Sequence, residues 1–308
     1  MTQPRDSGVH VAILSLRRFL HKPLREKAKA IGFRWKSVVH SWSKDLSNAR
    51  VLVRLPFGAW WIPRNDHVSK PLLNGTFEVG EIAFVEQFLQ PGMTVLDIGA
   101  HHGLYTLLAS KRVGRMGKVF AFEPSPRERR ALQMHLRINL CSNVTVQAQA
   151  VGDEDTKGIL YVVENWAAGC NSLKPPDVPA KISRTSVHVV RLDDWLAESK
   201  IERVDFIKLD VEGAELAVLC GARKFLERRP RPVILVEVQD IRTAPWGYAA
   251  REIVNILEQA EYTCFQLSPN GKLLKIDAGN KEFDLNLVAV PNDRNQSVLS
   301  QINAVNRD

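Results

Sequence analysis

Four apolar runs in this chain end in carboxylates, and those carboxylates are where chemistry is expected. The first run, Val95-Leu96-Asp97-Ile98, leads into Gly99-Ala100-His101-His102-Gly103 and then into a helical pattern. Glycines at 99 and 103 let the backbone approach a ligand where a Cβ would clash. Taken alone, such a turn fits a ligand-free strand-to-helix corner equally well. The second acid, Glu123, follows Phe120-Ala121-Phe122 and precedes Pro124. An acidic group at the end of a second strand accepts two hydrogen bonds from a ribose diol. Together the two signals point to a nucleoside-containing ligand. Dinucleotide sites read GxGxxG, where the turn cradles a pyrophosphate; here the pattern is DxGAxxG. A carboxylate aimed at a pyrophosphate would be repelled. Beside a cationic sulfonium with an amino-acid tail it is tolerable or useful, which favours S-adenosylmethionine over NAD. No GxxxxGKS or GxxxxGKT string is present, so a phosphate-loop NTPase is not supported.

The third run, Val204–Leu209, delivers Asp210, with Glu212 and Glu215 close behind; the fourth, Val233–Val236, delivers Glu237. In a doubly wound sheet, ligands bind outside the carboxyl ends of the strands near the switch point. Asp210 is therefore expected to face the same crevice as Asp97. Carboxylates on adjacent strand ends can serve as a general base or hold a divalent metal. Asp210 and Glu237 are the expected proton-handling residues, with a divalent metal between them left open. Glu215 is equally readable as a first-turn residue favoured by the helix dipole. His101 is expected to orient the ligand and His102 to face solvent; action of either as a base is the alternative. Trp60, Trp61 and Trp166 could stack on a sugar ring or simply pack.

The elements that must position these residues follow from periodicity. Glu78–Leu89 carries a helical apolar face that Pro91-Gly92 stops. Strands are expected at Thr94–Ile98, Lys118–Glu123, Asn143–Gln147, Val204–Leu209, Val233–Val238, Tyr262–Leu267 and Asp284–Val290. Helices are expected at Leu104–Val113, Arg127–Leu140, Ala214–Arg228 and Tyr248–Ala260. Such alternation means a mostly parallel sheet covered on both faces. Residues 148–203 are irregular, with strands at Ile159–Val163 and Val187–Leu192 and a loop at Ala167–Pro179. That insertion either shapes a substrate pocket or is a structural hairpin.

The strings VLDIGAHHGLYT, FAFEPSP, LDDW, VDFIKLDVEGAELAVLCGA and PVILVEV, in this order, resemble the FkbM-type methyltransferases over roughly residues 73–291. The resemblance implies a class I methyltransferase fold, an α/β Rossmann-like, doubly wound, seven-stranded sheet whose last strand, Asp284–Val290, is antiparallel. It implies S-adenosylmethionine as cofactor and O-methylation of a hydroxyl on a sugar, glycolipid or natural product. By motif position, Asp97, Gly99 and Gly103 correspond to the cofactor turn and Glu123 to the ribose acid. Asp153 lies where adenine is often contacted, and Asp210 closes the methionine side. The family usually has asparagine where this chain has His101; a neutral imidazole can both donate and accept, as that amide does.

The chain has 308 residues, 45% hydrophobic and 25% charged, an ordinary globular mixture. Its formal charge of +8 is uneven. Residues 1–70 hold fourteen Lys and Arg against four Asp and Glu, while the rest of the chain is close to neutral. Two domains are expected: a basic N-terminal extension, 1–70, and a methyltransferase domain, 71–308. The basic character sits away from the chemistry, which disfavours a nucleic-acid substrate. Residues 1–70, with an apolar helical stretch at Val11–Leu20 and a basic run from Arg17 to Lys29, could contact a membrane surface or polyanion. A non-catalytic methyltransferase-like module recruited that way is the competing reading. Four scattered cysteines without ligand spacing read as free thiols in a reducing compartment, the cytoplasm.

Overall fold

The computed structural model describes residues 52–64, 66, 68–164, 169–176, 178–276 and 282–305. The helix expected at Val11–Leu20, the basic run and Trp166 lie outside the described residues. The compact unit that holds the candidate site runs from Arg50 to Asp308. It opens on a small hairpin, β1 (Val53–Arg54) and β2 (Trp60–Trp61), and a short helix, α1 (Ser69–Asn74). Then come α2 (Val79–Phe88), β3 (Thr94–Ile98), α3 (Leu104–Val113), β4 (Lys118–Phe122), α4 (Pro126–Ile138) and β5 (Val144–Gln147). The insertion supplies β6 (Ala150–Gly152), β7 (Thr156–Val163) and β8 (Ile182–Arg191). Next are α5 (Leu192–Glu198), β9 (Phe206–Leu209), α6 (Glu215–Gly221), α7 (Arg223–Glu227), β10 (Val233–Gln239) and α8 (Asp240–Thr243). The described chain closes with α9 (Arg251–Gln259), β11 (Tyr262–Leu267), β12 (Leu273–Lys275), β13 (Asp284–Pro291) and α10 (Asn295–Val305).

The main sheet has the order β12-β11-β13-β10-β9-β3-β4-β5. β5, β4, β3, β9 and β10 run parallel, and β13 is antiparallel to both its neighbours. This is the expected seven-stranded sheet with one addition, β12, paired antiparallel to β11 at the edge. Central strands alternate their side chains between two buried layers. Leu96, Ile98, Ile207, Leu209, Ile234 and Val236 face one core with α5, α6, α7 and α9. Val95, Phe206, Val233 and Leu235 face the other, with α2, α3 and α10.

Residues 52–70, grouped by composition with the basic segment, pack on this unit. Trp61 has no exposed surface, and its ring stacks on His135 of α4 at 4.0 Å. The insertion forms a sheet of its own, β6-β8-β7, with a small core of Ala150, Leu160, Val162, Val187 and Val189. The helix expected over 214–228 is broken at Ala222. Asp193 of α5 accepts the N–H groups of Lys224 (3.1 Å) and Phe225 (2.8 Å), which one continuous helix would have used internally.

Gly221 sits against β6, where a Cβ would lie 2.0 Å from the Gly152 carbonyl oxygen. Glycine to alanine within a helix is ordinarily stabilising. Here Gly221→Ala is expected to destabilise by about 1–3 kcal/mol through overpacking, read as a lowered Tm by circular dichroism; an unchanged or raised Tm would refute the contact.

Candidate active site

A cavity of about 300 Å³ opens at the carboxyl ends of β3, β4, β9 and β10, where the strand order reverses. Asp97, at the end of β3, is 2% exposed and accepts a hydrogen bond from the Thr106 hydroxyl of α3. Burial pushes its carboxyl up to about 6. Glu123 follows β4, and both its oxygens are held: Oε2 accepts the His101 N–H and Oε1 the Ser125 N–H, each at 2.8 Å. Burial raises this carboxyl to about 8, against the two N–H donors that favour its ionised form. The Gly99 and Ala100 N–H groups donate to the Phe122 carbonyl at 3.1 and 2.9 Å, tying the turn to β4. Asp97 and Glu123 thus face one hollow.

The two glycines work differently from expectation. Both have positive φ, +88° and +90°. A Cβ on Gly99 would lie 1.7 Å from the Asp210 carbonyl oxygen, so the close approach is to the turn after β9 rather than to a ligand. A Cβ on Gly103 would lie 2.4 Å from Leu132 Cδ1 of α4. Gly103 caps α3 behind the cavity wall and does not line it. Asp153 also falls outside: it is exposed on a separate shallow depression beyond β6, and Gln149, Ala150 and Val151 line the cavity in its stead. His102 does not face solvent. It is 3% exposed, with Nδ1 3.4 Å from Asp66 Oδ2 and its ring stacked on His101 at 3.8 Å. Trp61 lines the wall but offers no free face, and Trp60 points outward, 41% exposed.

On the other side of the cavity stands a cluster of acids. In register, Asp97 pairs with Lys208 and Lys208 with Leu235, so these side chains share the face covered by α2 and α3. Glu237, two residues beyond Leu235, shares it too. Lys208 is 2% exposed; its ammonium lies 2.9 Å from Asp210 Oδ2 and 5.2 Å from the centre of the Tyr105 ring. Burial works against that charge, but Asp210 and then Glu78 hold it, and the net direction is upward. Glu212 pairs with Arg242 of α8, Nε to Oε2, at 3.0 Å. Carboxylate oxygens of Asp210, Glu212 and Glu237 all lie within 4.8 Å of one another. Burial, then the charges of Asp210 and Glu215, hold the Glu237 carboxyl well above the usual carboxylate range. Glu215 is structural: its Oε1 accepts the N–H groups of Val211 and Gly213.

Among the described residues, six non-glycine residues have positive φ. Leu140, Lys200 and Glu261 each follow a helix end, a usual place for it. Glu78, His101 and Glu212 all line the cavity. Such backbone costs about 1–3 kcal/mol per residue and persists only where the surroundings impose it.

Lys208, Glu78 and Tyr105 escape the sequence reading. The Tyr105 hydroxyl donates to Glu78 Oε2 inside the cavity. A lysine within Phe206-Ile207-Lys208-Leu209 was the available signal for the first, because an unpaired lysine is almost never fully buried. The insertion contributes Gly169, Asn171, Ser172 and Leu173 to the wall, and the Ser172 hydroxyl donates to the Glu212 carbonyl at 2.8 Å. The insertion therefore shapes the pocket.

The chain is similar in sequence to several known proteins. The chain is 26% identical over 237 residues to the AMB antimetabolite synthetase AmbE of Pseudomonas aeruginosa, covering 64% of this chain and 11% of that protein. It is 29% identical over 143 residues to Methyltransferase 1 of Beauveria bassiana, covering 41% and 57%. It is 24% identical over 188 residues to the 2-O-methyltransferase NoeI of Sinorhizobium fredii, covering 56% and 74%. The chain thus spans less than two thirds of the first two. Among solved structures, the O-methyltransferase from Bacillus cereus in complex with SAH is 17% identical, with a TM-score of 0.43 over 70% of this chain and 80% of that one. The family profile described as Methyltransferase FkbM domain matches residues 97–264, more than half of the chain. With that match and the doubly wound sheet beneath it, the chain belongs to the FkbM methyltransferase family.

Proposed function

We propose that this protein methylates a hydroxyl of a small molecule, a sugar, glycolipid or natural product, with S-adenosylmethionine as donor. The observation that carries this reading is the oriented Glu123 carboxylate sharing one cavity with Asp97 and the acid cluster. Each Glu123 oxygen accepts one backbone N–H and retains a lone pair for a ribose diol. The cavity volume is at the small end of the range for ligand sites. Bound there, the cofactor would supply an electrophilic methyl group on a cationic sulfur. Asp97, which lines the same cavity, would add negative charge to receive that cation. Glu237, on the next strand end but one, is the residue to take the acceptor's proton at Oε2, and Asp210, fixed by Lys208, lies beside it with oxygens within 4.8 Å. The 2-O-methyltransferase NoeI and the 31-O-demethyl-FK506 methyltransferase FkbM of Streptomyces tacrolimicus, 26% identical over 178 residues, support a hydroxyl acceptor by their names.

The proposal is metal-free. Divalent magnesium or calcium needs several oxygen ligands. Two of the three clustered carboxylates already hold a fixed cation, Lys208 on Asp210 and Arg242 on Glu212. An ion held by their remaining oxygens would sit beside both positive charges, which weakens a site there.

Glu123→Ala is expected to weaken S-adenosylmethionine binding at least about tenfold in calorimetry, the scale of two lost buried hydrogen bonds; unchanged affinity would sink the ribose assignment. Asp210→Asn and Glu237→Gln should lower kcat more than they raise KM, and EDTA should leave wild-type turnover intact. Binding without any turnover across a panel of hydroxylated acceptors would favour the non-catalytic module instead. Glu123 also makes a pH prediction for the ligand-free protein. A carboxyl raised from 4.5 to about 8 on folding stabilises below its unfolded value, and that contribution is lost as pH rises through about 8. Thermal stability should fall across that window, and Glu123→Gln should flatten the fall.

A further inference from the structure

We infer that Glu237 holds a proton in the resting site and yields it to solvent when the cationic cofactor binds, so that the cofactor's own charge arms the base. The inference rests on the S-adenosylmethionine reading above. Three carboxylates, on Asp210, Glu212 and Glu237, crowd within 4.8 Å of one another. Two cations answer them: Lys208 at 2.9 Å from Asp210, and Arg242 at 3.0 Å from Glu212. Among the described residues the third carboxylate has no cation of its own, and Glu237 Oε2 is buried with no hydrogen-bond partner. The groups that face Glu237 are Lys208 from β9, Asp210 and Glu212 from the turn after it, Glu215 from α6 and Arg242 from α8. Cys170 sits behind Arg242, Sγ at 3.4 Å from Nη1, and Glu78 and Tyr105 face Lys208 from the α2 and α3 side. Glu215 is occupied by the N–H groups of Val211 and Gly213. This set carries no further positive charge for Glu237.

An ionised carboxylate buried without a partner is costly, and the group neutralises itself by taking a proton. A sulfonium in the same cavity supplies the missing positive charge; the neutral thioether of S-adenosylhomocysteine does not. Glu237 is therefore emptied by the substrate form of the cofactor and left filled by the product form. On turnover Glu237 Oε2 takes the acceptor's hydroxyl proton as the oxygen–methyl bond forms, while the electron pair of the broken sulfur–methyl bond stays on sulfur. One positive and one negative charge vanish together, and Glu237 returns to its resting form. The proton reaches solvent when the next cofactor binds, not with the methylated product.

The test is titration calorimetry of the full chain with each ligand, in two buffers of unequal ionisation enthalpy near neutral pH. S-adenosylmethionine is expected to release about one proton more than S-adenosylhomocysteine, the linkage expected for one discharged group. Contributions from groups that answer only to the adenosine or amino-acid parts cancel in that difference. In Glu237→Gln the difference should vanish while both ligands still bind. Equal release by the two ligands, or a difference that survives in Glu237→Gln, overturns the inference. If Glu237→Gln binds neither ligand, the wild-type affinity ratio decides. It should shift toward S-adenosylmethionine by about tenfold for each unit that pH rises below the point where the resting group loses its proton, and a flat ratio overturns the inference. Failure of the wild type to bind either ligand sinks the cofactor reading instead.

Discussion

The site depends on how closely two strand ends are pressed together. The α-carbon of Gly99 and the Asp210 carbonyl leave no room between them for a side chain, and the Asp210 N–H donates back to the Ile98 carbonyl at 3.0 Å. The turn after β3 and the turn after β9 are therefore one backbone unit. The His101 N–H extends that unit to Glu123, at the end of β4. Groups that would hold a nucleoside and groups that would handle a proton come from strands far apart in the chain, yet they cannot move independently. This coupling is what positioning two reactants requires.

The same crowding explains the electrostatics. Acids arrive at the strand ends from three directions into one half-buried crevice, where like charges repel. The fold answers with two cations that themselves need acids: buried Lys208 beneath Asp210, and half-buried Arg242 beside Glu212. Lys208 occupies a sheet position whose neighbours Phe206, Ile207 and Leu209 are all apolar. The left-handed backbone of Glu78, His101 and Glu212 belongs to the same compromise, since all three turn sharply to present groups to one hollow.

Much of this was legible from residue order. Buried parallel strands read as short apolar runs, and an acid at the end of each marks the ligand side, so Asp97, Glu123, Asp210 and Glu237 were found together. The antiparallel β13 came from family resemblance, not from pattern. What failed was whatever depends on through-space neighbours. Gly99 and Gly103 have the conformation their type implies, but their close neighbours are Asp210 and Leu132. His102 looks like a solvent-facing loop residue until the hairpin bearing Trp61 and the acid Asp66 cover it. Asp153 points away because β6 turns into a separate sheet there. Lys208 shows in the sequence only as one cation inside an apolar run, and its partners Asp210 and Glu78 meet it only through space.

That separate sheet has a wider meaning. β6, β7 and β8 bond to one another and enclose their own small core, and among the described residues no ladder joins them to the doubly wound sheet. Their loop reaches the cavity through Gly169 and Asn171–Leu173 and is tied down by Ser172. The wall nearest the acid cluster can thus be lengthened, shortened or exchanged while the machinery beneath it keeps its register. A scaffold so divided can acquire new acceptors by drift in one peripheral hairpin, leaving its donor chemistry untouched.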